Sequence, residues 1–217
     1  MAFVLSTRTL WYLVFGLLGV SGVLVVSSFN YGWFTVRADG GYDLEGRFFF
    51  EEYKLYLLDD GDASWLLTRG YDDGFEFSSV MDVTSMLWTG GLVALVAYGA
   101  TLGAHYTGVL RSVKPIFLAW LVMAILLGGA FLFFTLRAGA AADADIEELA
   151  RRYFSQSIDA EVGFWGEQRI EEVDTTLRSR PGAGWWLALL GLANVVGSNL
   201  LLLRFPKAAP REASPAA

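Results

Sequence analysis

Residues 42–62 read YDLEGRFFFEEYKLYLLDDGD. Aromatic and aliphatic side chains are interleaved with carboxylates, and the run closes on an Asp-Gly turn. From Tyr53 to Leu57 the pattern has a period of two. Tyr53, Leu55 and Leu57 share one face, and Lys54 and Tyr56 the other, as in a half-buried strand. Asp60-Gly61 is a hairpin signal, because a type I′ turn needs positive φ at both central residues. A return strand is predicted over 65–68. A preceding strand is predicted over 32–36, before the turn Asp39-Gly40-Gly41. Asp73-Gly74 marks another turn, before a short strand over 75–77. The segment 30–83 therefore predicts a small antiparallel sheet.

What flanks this stretch decides the fold. Four windows, 10–29, 84–103, 115–136 and 185–203, contain no Asp, Glu, Lys, Arg or His. Each is ~20 residues, or ~30 Å of helix, the thickness of a bilayer's hydrocarbon core. Hydrophobic residues make up 54% of the 217-residue chain and charged residues only 18%, below the ~25% of a soluble domain. The expectation is one integral membrane domain over 1–217. Its spans are 10–29, 84–104, 115–136 and 183–204. A β segment lies at 30–83, a link at 105–114, a helical segment at 137–182 and a disordered tail at 205–217. The first window has a competing reading as a cleaved signal peptide. Its apolar stretch is longer than the usual ~7–15 residues, and no A-x-A site follows.

Charge is segregated. Net charge is -7. The region 37–82 holds twelve carboxylates against Arg37, Arg47, Lys54 and Arg69. The region 143–180 holds ten carboxylates and five arginines. The link carries His105, Arg111 and Lys114, and the tail carries Arg204, Lys207 and Arg211 against Glu212. By the positive-inside rule both termini and the link are cytoplasmic in a plasma membrane, and both long segments face outside. Arg178 and Arg180 before the last span run against this rule.

The second outer segment reads as amphipathic helices. Ile146, Leu149, Ala150, Tyr153 and Phe154 follow helical spacing, and Ile170, Val173 and Leu177 form a second such run. Asp145 with Glu148 resembles a capping box. Within the spans, small residues four apart, Gly99 with Gly103, Ala124 with Gly128, and Ala193 with Gly197, predict close helix packing. Asn194 and Ser198 lie on one helical face. They suit an interhelical hydrogen bond, or else a substrate or lipid-headgroup site.

Chemistry is sparse. The spans lack the ionisable groups that pumps, coupled transporters and voltage sensors use. His105 is the single histidine and there is no cysteine, so neither a metal constellation nor a disulfide is available. Asp59, Asp60 and Asp62, with Asp72 and Asp73, form two acidic turns. They read as solvated hairpins, or as a calcium site if the turns converge, although the EF-hand spacing is missing. No phosphate-binding loop and no basic aromatic patch is present, so nucleotides and nucleic acids are not expected partners. No cofactor is implied. The aromatics Trp33, Phe34, Phe48, Phe49 and Phe50 stand out. Alternation sends Phe48 and Phe50 to one face and Phe49 to the other. These five are the candidate partner-binding residues, and the competing reading is that the chain's own helices cover them.

The order of a short N-terminus, a span, outer strands, two spans with a short basic link, a second outer segment and a last span resembles the claudin and peripheral-myelin-protein superfamily. Trp33 in NYGWFTVRADG resembles the early Trp of that family's first outer loop. Glu45, Gly46, Arg47 and Phe48 resemble its Glu-Gly-Leu-Trp stretch, with Phe48 in place of Trp. The family's two loop cysteines have no counterpart here. The resemblance implies a left-handed four-helix bundle with a sheet on its outer face. It also implies roles in adhesion, channel lining or accessory assembly rather than catalysis. The expectation is a non-enzymatic tetraspan that acts through its outer sheet, by self-association or by binding another membrane protein. The alternatives are an accessory subunit of a larger membrane complex, and a lipid-handling enzyme using Glu51, Glu52 and Asp82. Membrane lipid is an expected partner in every case.

Overall fold

A computed structural model describes residues 7–40, 43–59, 62–70, 75–110, 112, 114–155, 157–171 and 174–203. Asp60, Asp72 and Asp73 of the acidic turns, and the tail, lie outside the described residues.

Four helices are present: α1 Thr7–Phe29, α2 Glu76–Tyr106, α3 Lys114–Phe154 and α4 Ala183–Leu202. All four are long and apolar enough to cross a membrane. α1 packs most extensively on α4, and α2 on α3, while α3–α4 and α1–α2 meet less. Val20, Val23, Met86, Val93, Val96, Ile125 and Leu132 project from the bundle at half or more of full exposure. Apolar side chains that point outward from a helix bundle suit a hydrocarbon surround.

The strands are β1 Phe34–Asp39, β2 Leu44–Phe48, β3 Glu52–Asp59, β4 Asp62–Gly70, β5 Gly166–Ile170 and β6 Thr175–Pro181. They form one antiparallel sheet in the order β4-β3-β2-β1-β6-β5. Asp59 pairs with Asp62 at the β3–β4 hairpin, where the Asp-Gly signal lies.

Three expectations are corrected. The first is the separation of the third apolar window from the amphipathic run that follows it. α3 is one helix of 41 residues, so the amphipathic run 143–154 is its continuation, not a separate element. The sequence from 137 to 154 is rich in Ala, the strongest helix former, and contains no proline to stop it. The second is the run with Ile170 and Leu177, which is strand, not helix. Ile170 and Leu177 are buried in both readings. Period-two alternation in β6, with Leu177, Ser179 and Pro181 in and Arg178 and Arg180 out, wins because the free edge of β1 offers a hydrogen-bonding partner. The third is 75–77, where Phe75 is the residue before α2 and Phe77 lies in its first turn.

The core sits where sheet meets bundle. Phe34, Val36, Phe48, Phe50 and Tyr53 pack with Phe77, Met81 and Trp88 of α2, Phe131, Phe134 and Ala138 of α3, and Trp185 and Ala188 of α4. A second cluster around Trp11, Tyr98, Leu102 and Trp120 fills the far end of the bundle. Ala160, Val162, Ile170 and Leu177 form a third, under β5 and β6.

Candidate functional site: the outer sheet and its seat

Trp33 is the seat. It is fully buried, and its indole Nε1 donates to the Ser28 carbonyl at the end of α1, 2.9 Å away. Its ring lies 4.6 Å from Phe50, 5.0 Å from Phe134 and 6.2 Å from Trp88, centroid to centroid. One side chain therefore joins the sheet to three helices. The backbone around it is equally committed. Trp33 N–H donates to Phe48 O, Gly182 N–H to Trp33 O, and Gly184 N–H to Gly32 O. A Cβ on Gly184 would lie 2.6 Å from Trp33 Cδ1 and 2.7 Å from Tyr31 O, so only glycine allows this approach of α4.

Trp33, Phe34, Phe48 and Phe50 are between 0% and 5% exposed. The structure thus places four of the five candidate partner-binding aromatics in the core, because the helix ends cover that face. Phe49 alone points to the other face, half-buried, with the Lys54 ammonium 4.7 Å above its ring.

The solvent face of the sheet is a ladder of charges. Register sets Arg180, Thr35, Arg47 and Lys54 side by side across β6, β1, β2 and β3. The next row runs Glu167, Arg178, Arg37, Glu45 and Tyr56. Like charges directly opposite are destabilising, and each base of the Arg47–Lys54 pair has its own compensation. Arg47 bonds Glu45 and covers the Tyr56 ring at 4.5 Å. Lys54 bonds Glu52 at 2.8 Å. Arg178 reaches Asp39 at 3.2 Å and Glu167 at 3.0 Å, and Arg37 also pairs with Asp39. Arg180 is exposed and without an ion pair among the described residues. Five bases, Arg37, Arg47, Lys54, Arg178 and Arg180, against four carboxylates, Asp39, Glu45, Glu52 and Glu167, leave this face close to charge balance on a chain of net charge -7.

The apolar run of α3 ends at Leu136, and its last turns stand beside the sheet with charges on them. Three carboxylates there hold backbone. Asp145, fully buried, accepts the N–H of Phe77 at 3.2 Å. Asp143 accepts the N–H groups of Val162 and Gly163 at 3.0–3.2 Å. Glu147 accepts that of Ala160 at 3.1 Å. Burial pushes the Asp145 carboxyl up to about 7, although the N–H groups of Phe77 and Glu76 favour its ionised form. Burial also raises Asp143, against the same kind of backbone bonds. These contacts were missed from sequence. Asp145 reads as the cap of its own helix, but its carboxylate caps α2, and no local signal reveals a cap in trans.

The helix-packing candidates separate. Gly128 faces Leu192 at 3.9 Å and Gly197 faces Leu17 at 4.0 Å from their would-be Cβ atoms, while Gly99 and Gly103 have no other atom within 4 Å. Ala124 packs at the edge of the far cluster, and Ala193 is exposed. The close approaches fall elsewhere, at Gly184 and at Gly191, whose Cβ would lie 3.2 Å from Val25. The interhelical side-chain hydrogen bonds of α4 use Trp185, whose Nε1 donates to Thr135 Oγ1 of α3 at 2.9 Å, and Asn199, not Asn194 with Ser198. Tyr98 donates to Asn199 Oδ1 at 3.1 Å, whereas Ser198 donates to the Val195 carbonyl of its own helix. His105 contacts the Leu110 carbonyl at 2.6 Å, closing the turn after α2. Of the acidic turns, Asp59 and Asp62 face each other in register. Among the described residues, no three His, Cys, Asp or Glu side chains group as metal ligands would.

No family model matches this sequence, and no curated protein matches it.

Proposed function

We infer that the protein is a non-enzymatic four-span membrane protein that associates with copies of itself through the solvent face of its six-stranded sheet. Both termini then lie in the cytoplasm and the sheet outside a plasma membrane. The observation that carries this reading is the Arg180–Thr35–Arg47–Lys54 row. The three bases of this row, with Arg180 free of an ion pair among the described residues, complement exposed Glu51, Asp159 and Glu161 of a second copy. Complementary charge gives orientation and rate more than affinity. The claudin-like resemblance gains support from the plan itself, four antiparallel apolar helices with Trp33 seating a sheet drawn from both outer segments.

The test is oligomeric state in mild detergent, after crosslinking intact cells that express the tagged chain. The wild type is expected to give a ladder of its own multiples that weakens with added salt. Arg47→Glu with Lys54→Glu should collapse the ladder without loss of folded protein. An unchanged ladder in that variant would overturn the reading.

A second reading, an accessory subunit docked along its helices, is favoured by one observation. Gly99 and Gly103 leave an open notch on α2 with no neighbour of their own chain, as a partner helix would need. Copurification of a stoichiometric foreign membrane protein, lost on Gly99→Leu with Gly103→Leu, would select this reading.

A further inference from the structure

A groove of about 300 Å³ lies between α2 and α3 at the sheet end of the bundle. It is lined by Glu76, Ser79, Val80, Val83, Phe133 and Arg137. Its composition changes along its length. Contacts such as Gly91 with Leu127 and Trp88 with Phe131 set the antiparallel level of the two helices. By that register Val83 lies level with Thr135 and Leu136, between Phe133 and Arg137 of the facing wall, and Arg137 lies level with Met81 and Asp82. Glu76 stands five to six residues, ~8 Å, further out than Arg137. The uncharged stretches of the two helices end at the same level, at Val83 on α2, next to Asp82, and at Leu136 on α3. The groove therefore straddles the boundary, with apolar Val83 and Phe133 below it and charged or hydroxyl groups above it.

Two features point to an occupant. Arg137 is exposed and makes no hydrogen bond or ion pair among the described residues, although the Glu76 carboxylate lines the same groove. A guanidinium at the hydrocarbon edge needs an anion or water at the interface, and its planar fork matches a phosphate. Val83 and Phe133 are about half exposed, so the lower half opens sideways toward lipid, not toward water. We propose that this groove holds one phospholipid of the sheet-side leaflet with a zwitterionic, primary-ammonium headgroup. Its phosphate lies on Arg137 with Ser79 as a second donor, its ammonium lies on Glu76, and an acyl chain lies along Val83 and Phe133. The order of charges along the groove sets the preference: the Arg137 cation nearer the membrane and the Glu76 carboxylate further out, the order of phosphate and ammonium in such a headgroup. The inference rests on the helices spanning a bilayer, and not on what the sheet binds.

The test uses the full chain, delipidated in mild detergent and titrated with phosphatidylethanolamine, phosphatidylglycerol or phosphatidylcholine of equal chain length. Bound lipid is counted by native mass spectrometry. One phosphatidylethanolamine per chain is expected, held in preference to the other two. Charge-assisted bonds to phosphate imply that Arg137→Gln weakens it about tenfold or more. Glu76→Gln should abolish the preference over phosphatidylglycerol. Val83→Trp, which fills the apolar half, should block binding while the melting temperature of the lipid-free protein is unchanged. Equal affinity of wild type and Arg137→Gln would overturn the proposal. So would full binding by Val83→Trp, or displacement of the lipid by inorganic phosphate at equal concentration. Carbonate-resistant recovery of the protein in the membrane fraction separately checks the spans on which the inference stands.

Discussion

The Asp145 carboxylate accepts the Phe77 backbone N–H at 3.2 Å across 68 residues of chain. The far end of α3 thereby caps the first turn of α2. The residue before α2, Phe75, has no side-chain cap to offer. A carboxylate at a helix N-terminus satisfies orphan donors and opposes the helix dipole favourably. Here that partner comes from another helix, so the cap also fixes how far α3 extends beside the sheet.

This cap predicts a pH dependence. Burial pushes Asp145 up to about 7 from its ordinary 3.8. Between those values the folded state binds more protons than the unfolded state. Stability therefore falls as pH rises from about 4 to about 7, by at most ~1.4 kcal/mol per unit, and levels off above. Asp145→Asn keeps an acceptor and loses the slope, whereas Asp145→Ala loses the cap and ~0.5–2 kcal/mol. Unfolding curves in mild detergent across this pH range measure both.

Asp143 holds the loop before β5. Asp143→Ala strands the N–H groups of Val162 and Gly163, and an unmet buried donor costs ~1–3 kcal/mol. The expected readout is faster amide exchange at those two residues, with exchange at the α1–α4 contact unchanged. Uniform acceleration across the whole protein would refute a local role.

Glycines on different helices should respond in opposite ways. Gly184→Ala drives a Cβ into Trp33 and into the Ser28 and Tyr31 carbonyls, at 2.6–2.8 Å. Backbone cannot yield as a side-chain tip can, so a loss of ~1–3 kcal/mol is expected. Gly99→Ala meets nothing within 4 Å and gains ~1 kcal/mol of helix propensity at most. Melting temperatures of the two variants should diverge, the first falling and the second holding or rising.

Three consecutive phenylalanines make the sharpest internal control. Phe48 and Phe50 are buried at 2% and 5% exposure, while Phe49 lies on the solvent face beneath Lys54. Phe48→Ala or Phe50→Ala should cost ~3–5 kcal/mol. Phe49→Ala forfeits a cation–π contact worth ~0.5–1 kcal/mol and should cost less than either neighbour. Denaturant titration of the three variants checks the alternation directly.

Much of this was legible because the signals are local. Unbroken apolar windows mark α1 to α4, and period two across Tyr53 to Leu57 marks β3. The Asp-Gly signal falls between Asp59 and Asp62, which pair in register. The second outer segment was misread for a definite reason. Ile170 and Leu177 fit a helical stripe and a strand face equally well, and the hydrogen-bonding edge that decides between them belongs to β1, some 140 residues earlier in the chain. The candidate aromatics were correctly divided by face, Phe49 from Phe48 and Phe50. Which face the helices would cover is not written in that alternation.

By itself the sequence determined four apolar helices, the strand character of 53–57 and the segregation of charge away from the apolar windows. These follow from chain-local physics: hydrophobic length, side-chain period and turn chemistry. Tertiary structure alone decided that the segments after α1 and after α3 share one sheet, that Asp145 caps a helix other than its own, and that Trp33 is a seat and not a presented surface. It also gathered bases and carboxylates from both segments into one ladder on the sheet's solvent face. Each of those depends on which distant backbone donors and apolar faces remain unpartnered once the helices have paired, a condition no local window of sequence contains.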